Sequence, residues 1–282
     1  MVFGLGIPTG NAAPRAELWE RWTAHDPSST ETIDHGAWAR FLKAHVRALP
    51  DRVNRIAYAE VSDDDKKQLA GYIAALEATP ISRYRRNEQF AYWINLYNAV
   101  TVKVVLDHYP VQSIRDIRIS PGLHVFAPGP WGKKLIEVEG EKLSLDDIEH
   151  RILRPIWQDP RIHYAVCCAA VSCPHVRDEP YIGANVDTQL TIAARDYVNH
   201  ERGVLLSGGR LVVSSIYKWY KDDFNGSDAG VIQHLRQYAK PELASALASL
   251  TRISDDRYDW ALNDAGRAPD SQRPGWLPRW LP

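Results

Sequence analysis

Residues 87–108 read NEQFAYWINLYNAVTVKVVLDH, the most hydrophobic run of this 282-residue chain. Its apolar side chains recur at helical spacing and form a stripe so wide that the helix must be mostly buried. The stripe consists of Phe90, Trp93, Ile94, Tyr97, Val100, Val104 and Val105. Tyr109-Pro110 ends the pattern, because a residue that precedes proline disfavours the α conformation. The sequence therefore predicts a buried helix over residues 87–108.

Two asparagines interrupt the apolar pattern of this helix. Asn95 and Asn98 are three residues apart and so share one face. A buried amide needs hydrogen-bond partners. One interpretation is that both side chains tie the helix to neighbouring backbone. The other is that they orient a catalytic histidine or hold an oxyanion.

Shorter patterns flank this helix on both sides. Helical periodicity predicts further helices, and alternation around glycine turns predicts two hairpins. The helices are expected within 16–49, 63–78, 185–200, 217–224 and 231–250, and the hairpins at 136–143 and 204–213. The predicted fold class is α+β, with many helices around a small, mostly antiparallel sheet.

No internal repeat or break in composition divides the chain, so a single domain is expected over residues 16–265. Residues 1–15 are expected to be disordered, or a vector or signal-peptide remnant, and 266–282 a surface tail. Asn11-Ala12-Ala13 before Pro14 is similar to a signal-peptide cleavage region. This favours a periplasmic or secreted protein, with a cytoplasmic one as the alternative.

The charge balance is nearly neutral, with 34 basic and 35 acidic residues. A dedicated nucleic-acid binder would carry a basic excess, so no nucleic-acid partner is expected.

No run of residues is long and apolar enough to span a membrane. Three cysteines allow at most one internal disulfide, so the chain is not a disulfide scaffold.

All three cysteines lie in residues 161–175, RIHYAVCCAAVSCPH, together with two histidines. A thiol is a strong nucleophile and an imidazole is the usual base that activates it. Residues 163–168 are expected to form a buried strand, followed by a turn into a short helix. Cys168 would then lie at a helix N-terminus that stabilises its thiolate, while Cys167 faces the core. Cys173 is a second active thiol, a disulfide partner of Cys168, or a packing residue.

A second helix is predicted at residues 145–154. Ser144 and Asp147 cap its start, and Arg154-Pro155 ends it. Two polar residues, Glu149 and His150, interrupt its apolar pattern. Projected at about 100° per residue, Glu149 falls inside the apolar stripe and His150 lies on its flank. Glu149 either pairs with a buried arginine or lines an active-site wall with His150.

The cysteine spacing matches no zinc pattern with a convincing second pair, so neither a metal nor another cofactor is predicted. His150, His163 and His175 nevertheless remain possible ligands.

Three segments resemble the motifs of one family, the domain of unknown function 547 family. They are residues 88–101 (EQFAYWINLYNAVT), 143–154 (LSLDDIEHRILR) and 159–174 (DPRIHYAVCCAAVSCP). Tyr258-Asp-Trp260 with Leu262-Asn263 resembles the end of its bacterial members. The resemblance covers most of residues 80–265, with the family-type core at about 80–205.

The family usually has Asn-Cys where this chain has Cys167-Cys168, so the resemblance implies that Cys168 and Cys173 are the family-type thiols. Cys167 thus replaces the asparagine that the family usually has before the cysteine. The order of the motifs is similar to that of circularly permuted members of the papain and transglutaminase-like superfamily.

The leading hypothesis is a thiol-dependent hydrolase or acyltransferase that acts on amide, peptide or thioester bonds of a small molecule or peptide. Cys168 would be the nucleophile, with His150 as general base and His163 as the competing base. Glu149 would orient the site.

The first alternative is a non-catalytic module in which a flap at 120–131 covers a small ligand, such as the thiol glutathione, or a protein. The second is a redox switch through Cys168 and Cys173.

Overall fold

The structure is a computed structural model that describes residues 14–121 and 129–266. Most of the expected starting segment, most of the expected flap and nearly all of the expected tail lie outside the described residues.

Eight α-helices make up most of the regular structure in the described part of the chain. They are α1 (Gly36–His45), α2 (Asp63–Glu77), α3 (Arg86–His108), α4 (Arg154–Trp157), α5 (Val186–Val198), α6 (Ile216–Trp219), α7 (Asp228–Tyr238) and α8 (Pro241–Leu247). The predicted helices at 63–78, 87–108 and 185–200 are confirmed. The N-terminal prediction is only partly confirmed, because residues 16–49 contain α1, a 3-10 helix at Glu20–Thr23 and a strand.

Helix α3 lies at the centre of the larger hydrophobic core. Every residue from Glu88 to Val102 is buried, as the wide apolar stripe predicted. Helix α2 packs along α3, and the hydroxyl of Tyr92 donates to the carbonyl of Leu76 over 2.9 Å. A helix buried on all sides must satisfy its polar groups within the protein, which explains the contacts of Asn95 and Asn98 below.

Seven short strands form three small sheets in residues 14–121 and 129–266. Strands β1 (Val46–Ala48) and β2 (Asn54–Ile56) are antiparallel, as are β3 (Ile136–Val138) and β4 (Glu141–Leu143). Strand β5 (Val204–Ser207) pairs antiparallel with β6 (Arg210–Ser214), and β7 (Asp255–Arg257) joins β6 in parallel.

Both predicted hairpins are confirmed, and so is the α+β class. Gly208 and Gly209 have φ values of +57° and +74°, which suit the tight turn of a two-residue hairpin loop. In the described residues the strands are divided among three separate small sheets and do not form one.

The buried apolar residues form two clusters. The larger surrounds α1, α2 and α3 and includes Cys167 and Cys173. The smaller surrounds α5, α7 and the β5–β6 hairpin, and Tyr258 packs against both clusters. The cysteine segment therefore lies close to where the two clusters meet. Among the described helices, none has the length and apolar character needed to cross a membrane.

Candidate functional site

Residues Asp147–Leu153 form a π-helix, a rare conformation that is frequent at functional sites. Residues 145 and 146 are α-helical and precede it, and Ser144 and Asp147 cap this start of the helical segment as predicted. The Asp147 N–H donates to the Ser144 hydroxyl over 3.2 Å, and the Ser144 N–H donates to the Asp147 carboxylate over 2.8 Å. The predicted end at Arg154-Pro155 is wrong, since the chain continues as α4 with Pro155 in its first turn, where a missing N–H is tolerated.

The π-helix turns Glu149 and His150 into the protein together. Their exposed fractions are only 6% and 4%. The hydrogen bonds of a π-helix run from i to i+5, so its turns hold more residues and the α-helical projection does not apply. Both side chains are therefore buried, although that projection placed His150 on the flank of the apolar stripe.

These two residues belong to a group of buried and half-buried polar side chains, called the charge cluster below. Its members are Glu149, His150, Arg154, His163, Tyr220 and Asp223. Asp223 holds the cluster together, accepting from Arg154 Nε over 2.6 Å and from Arg154 Nη2 over 3.1 Å. His163 Nε2 lies 2.7 Å from the same carboxylate. Burial alone would raise the pKa of Asp223, but the hydrogen bonds from His163 and Arg154 outweigh it and hold that pKa well below its usual range.

Both histidines of the charge cluster already have partners. His150 Nδ1 accepts from Arg154 Nη1 over 3.1 Å, and burial lowers the pKa of His150 to about 4, so its ring is neutral at pH 7. The His163 ring stacks on Tyr220, with centroids 4.1 Å apart. Glu149 lies 3.9 Å from Nδ1 of each histidine. The buried arginine that was expected to pair with Glu149 instead pairs with Asp223.

The segment that carries the cysteines is not a strand followed by a helix. Residues Pro160–Tyr164 form a 3-10 helix, which Asp159 caps at the N–H of Arg161, and residues 166–168 have no regular structure. No helix follows Cys168 until α5 begins at Val186, so the expected helix N-terminus beside this thiol is absent from the described segment. An apolar run does not distinguish these conformations, which explains the error.

A turn returns the chain from Cys168 towards Cys173. Ala169 has a φ of +59°, in the left-handed region that costs a non-glycine residue about 1–2 kcal/mol. The Cys173 N–H then donates to the carbonyl of Ala170 over 3.1 Å. Backbone bonds join this turn to residues 259–263, which places Tyr258 beside it.

The three cysteines, Tyr258 and Asn263 form the thiol cluster. Cys168 Sγ lies 2.7 Å from Cys173 Sγ and 3.0 Å from the hydroxyl of Tyr258. The backbone N–H of Cys168 also donates to Cys173 Sγ over 2.8 Å. All three thiols are free, and Cys168 is half-buried while the other two are buried. Among the three thiols, Cys168 is therefore the accessible one.

The thiol pair is electrostatically asymmetric. Burial would raise the pKa of Cys173, but hydrogen bonds from Cys167, Cys168 and Tyr258 hold it well below its ordinary value. The hydrogen bond to Cys173, together with burial, raises the pKa of Cys168. The pair thus releases its first proton readily and retains its second, and the charge is centred on Cys173. The sequence had assigned the stabilised thiolate to Cys168.

Cys168 has no hydrogen bond to His150 or His163 within the part of the chain that the structure describes; its partners are Cys173 and Tyr258. Tyr97 and Tyr220 lie alongside both clusters. Burial raises the pKa of each tyrosine, and Glu149 and Cys168 both add to this increase. Glu149 of the charge cluster and Cys168 of the thiol cluster therefore lie near the same two tyrosines, although Cys168 is bonded to neither histidine in the described residues.

The two asparagines of α3 bind backbone. Asn95 exchanges hydrogen bonds with the backbone of Tyr181, at 2.7 Å and 3.0 Å. Asn98 donates to the carbonyl of Ala165 over 2.9 Å and accepts from the N–H of Cys167 over 2.8 Å. This geometry matches the interpretation that both side chains tie α3 to neighbouring backbone. Asn98 also fixes the backbone immediately before Cys168.

Half-buried aromatic side chains extend from the thiol cluster. Tyr258 contacts Trp219 and Trp260, at centroid distances of 4.7 Å and 4.6 Å. Trp131 lies 5.8 Å from Trp260, and the guanidinium of Arg115 lies 5.2 Å from the Trp260 ring. Most of these rings are tilted against one another, with interplanar angles of 55°, 53° and 67°, and together they form an aromatic group beside Cys168.

Within residues 14–121 and 129–266, no group of three or more His, Cys, Asp or Glu side chains is arranged to hold a metal ion. The cavity of about 500 Å³ beside the C-terminal end of α5 is lined by His175, Asn199 and His200, among others, and by none of the cysteines.

Sequence reasoning missed Asp223, Tyr220 and the role of Tyr258. Asp223 is 60 residues from His163, and Tyr258 is 90 residues from Cys168. No local spacing connects residues so far apart. Tyr258 had been noted only as part of a motif that resembles the family.

No curated protein and no solved structure matched this chain. Residues 81–198 match the family described as "Protein of unknown function, DUF547". The matched segment runs from the start of α3 to the end of α5 and includes Glu149, His163, Cys168 and Cys173. The chain therefore contains a segment, residues 81–198, that matches the DUF547 family.

Proposed function

We propose that this protein carries out thiol–disulfide exchange through Cys168 and Cys173. The observation that carries the proposal is the distance of 2.7 Å between their sulfur atoms. A disulfide bond is about 2.05 Å long, so a movement of roughly 0.7 Å would close it. Cys168 is the accessible thiol of the pair and Cys173 the buried one. This is the arrangement of an attacking thiol and a resolving thiol.

The reaction begins at Cys168. The pair shares one proton across the hydrogen bond between its sulfurs, and movement of that proton onto Cys173 leaves a thiolate on Cys168. This thiolate attacks a disulfide, forms a mixed disulfide at Cys168 and expels the first thiolate, which takes the proton from Cys173 and leaves as a thiol. The Cys173 thiolate formed in this way attacks Cys168 Sγ and expels the second thiolate, which takes a proton from water. The protein's two thiols are oxidised to a disulfide, and the substrate disulfide is reduced to two thiols.

An aromatic disulfide such as dithiobis(nitrobenzoate) tests this sequence of steps. Wild-type protein should release two nitrothiobenzoate anions and lose two protons in mass, with no adduct left. Cys173→Ser should release only one anion and keep the adduct on Cys168, because the resolving thiol is missing. Cys167→Ser is the matched control and should behave as wild type. A stable adduct on Cys168 of the wild-type protein would rule out Cys173 as the resolving thiol.

A second candidate function is the thiol-dependent hydrolase or acyltransferase that acts on amide, peptide or thioester bonds. The observation in its favour is that Glu149, His150 and His163 lie next to the thiol cluster, across Tyr97 and Tyr220. Either histidine would have to leave its present partners to reach Cys168. A permuted papain or transglutaminase-like core would accord with this function.

The two proposed functions differ in their need for Cys173, because exchange requires this thiol and hydrolysis or acyl transfer does not. With p-nitrophenyl acetate as acyl donor, a hydrolase should form an acetyl group on Cys168 that turns over in Cys173→Ser and accumulates in His163→Ala or His150→Ala. An acetyl adduct that never turns over in the wild-type protein would rule out this second function.

The periplasmic or secreted location belongs to the same proposal. Disulfides persist in such compartments, so a disulfide substrate of small-molecule or peptide type would be available there. Cell fractionation of the expressed gene would test the location, and recovery in the cytoplasm alone would contradict it.

A further inference from the structure

Arg202 is a buried arginine in the turn between α5 and β5, outside the segment that contains the cysteines. Its exposed fraction is only 8%. Its guanidinium donates to the backbone carbonyl of Cys173 over 2.8 Å and to His175 Nδ1 over 3.2 Å. It also lies over the Tyr197 ring, 5.2 Å from the centroid. Its Nε is buried and has no hydrogen-bond partner.

The buried charge of Arg202 has no carboxylate partner within 4 Å in the described residues. Other arginines in the interior do have one: Arg154 pairs with Asp223 and Arg55 with Asp51. A buried cation without a counter-charge is strongly unfavourable. The position of Arg202 therefore requires an explanation that its visible hydrogen bonds do not supply.

The neighbours of Arg202 restrict where a negative charge can arise. His175 Nδ1 accepts from Arg202, and burial and then Arg202 itself lower the pKa of His175 to about 4, so this ring is neutral. The groups that favour the protonated guanidinium are Tyr197, Cys167, Cys173 and Tyr258. Its charge also acts on the carboxyl of Asp196, although the two form no ion pair. Burial raises the pKa of both tyrosines, and the hydrogen bond with Cys173 together with burial raises that of Cys167, which leaves Cys173 as the thiol that ionises beside Arg202.

We infer that Arg202 is the counter-ion of the thiolate at Cys173, held against that residue by its hydrogen bond to the Cys173 carbonyl. It is a positioning residue, because its charge acts on Cys168 only through Cys173. With this counter-ion, Cys168 and Cys173 together hold one proton instead of two at the pH at which exchange takes place. This consequence rests on the proposed function.

A purely structural role for Arg202 is the competing explanation. In that case the guanidinium would only hold the turn by its bond to the Cys173 carbonyl, and any donor would replace it. Arg202→Gln keeps an N–H donor and removes the charge, whereas Arg202→Lys keeps the charge. Arg202→Met keeps the apolar stem that packs on Tyr197 and serves as the uncharged variant if Arg202→Gln does not fold.

The test is a pH titration of the reduced full-length protein, followed by thiolate ultraviolet absorbance and by the rate at which iodoacetamide alkylates Cys168. An uncharged variant should titrate about one pH unit higher, which is the usual effect of removing a nearby opposite charge, and should react about tenfold more slowly near neutral pH. Arg202→Lys should titrate close to wild type. The matched control is Arg177→Gln, whose guanidinium pairs with Glu179 and should leave the titration unchanged.

A folded Arg202→Gln or Arg202→Met that titrates like the wild type would overturn the inference. So would an Arg202→Lys variant that titrates like the uncharged ones. The titration does not depend on exchange activity, so it separates the two proposals. If wild-type protein fails to form the disulfide while Arg202→Gln still raises the thiol pKa, the proposed function fails and the counter-ion assignment stands.

Discussion

The side chain of Asn98 accepts a hydrogen bond from the backbone N–H of Cys167 over 2.8 Å. It also donates to the carbonyl of Ala165 over 2.9 Å. The most buried helix of the protein thus fixes the backbone that presents Cys168. The geometry of the thiol pair depends on α3, although α3 contributes no reactive group.

Asn98→Ala should therefore lower both stability and thiol reactivity. Loss of the two bonds leaves buried backbone groups unpaired, and we expect a loss of about 2 kcal/mol in the free energy of unfolding. Alkylation of Cys168 by iodoacetamide should slow several-fold, because the segment before it is no longer fixed. Urea unfolding and peptide mass mapping measure the two effects.

Asn95→Ala is the matched control for this change. Asn95 makes the same pair of backbone bonds, to Tyr181, on the same face of α3. It should lose a similar amount of stability and keep the alkylation rate of the wild type. Equal loss of reactivity in both variants would show that Asn98 has no specific effect on the thiols.

Tyr258→Phe should make the thiol pair less acidic. Burial raises the pKa of Tyr258, so its hydroxyl stays protonated and can donate to a thiolate. A hydrogen bond to a charged group is worth about 1.5–3 kcal/mol. We expect the first ionisation of the pair to rise by about one pH unit, measured by thiolate absorbance. Tyr92→Phe, which removes a buried hydroxyl bound to Leu76, should leave the titration unchanged.

Asp223→Asn should destabilise the protein strongly. Asp223 is the ion-pair partner of Arg154 and bonds His163, and both of these side chains are buried. Removing one member of a buried ion pair costs about 3–5 kcal/mol. Urea unfolding at pH 7 measures this loss. The neighbouring Asp222 is exposed, and Asp222→Asn should change the free energy of unfolding by less than about 0.5 kcal/mol. If the two substitutions lowered the free energy of unfolding by similar amounts, Asp223 would not be the residue that stabilises the charge cluster.

Where the pattern of residues was local, the sequence predicted the structure well. The periodicity of α2 and α3 and the turn at Gly208-Gly209 each depend on residues within a few positions of one another. Those elements were predicted with nearly correct bounds.

The candidate site was predicted less completely because its geometry is not local. The position of Glu149 was derived from an α-helical projection, which a π-helix invalidates. The run that ends at Cys168 is apolar enough for a buried strand, yet it forms a 3-10 helix and irregular chain. The contacts of Cys168 with Tyr258, and of His163 with Asp223, join distant parts of the chain.

The low pKa of Cys173 should make the stability of the reduced protein depend on pH. A group whose pKa is lowered by folding adds stability above its unfolded pKa and loses it as the pH falls through the folded value. The free energy of unfolding should therefore rise with pH up to the ordinary thiol pKa of about 8.5, by at most about 1.4 kcal/mol per pH unit. Above that value the raised pKa of Cys168 acts in the opposite direction, because the unfolded thiol ionises and the folded one does not.

Below about pH 8.5, where an ordinary thiol keeps its proton, subtraction of the Cys173→Ser profile isolates this effect, since serine does not ionise. Urea unfolding under reducing conditions at a series of pH values supplies both profiles. The difference between them should increase from acidic pH to about pH 8.5, where the unfolded thiol begins to ionise. A difference that does not change with pH would mean that Cys173 ionises alike in the folded and unfolded chains. In that case no thiolate would be stabilised beside Cys168, and the shared proton of the pair would have no structural basis.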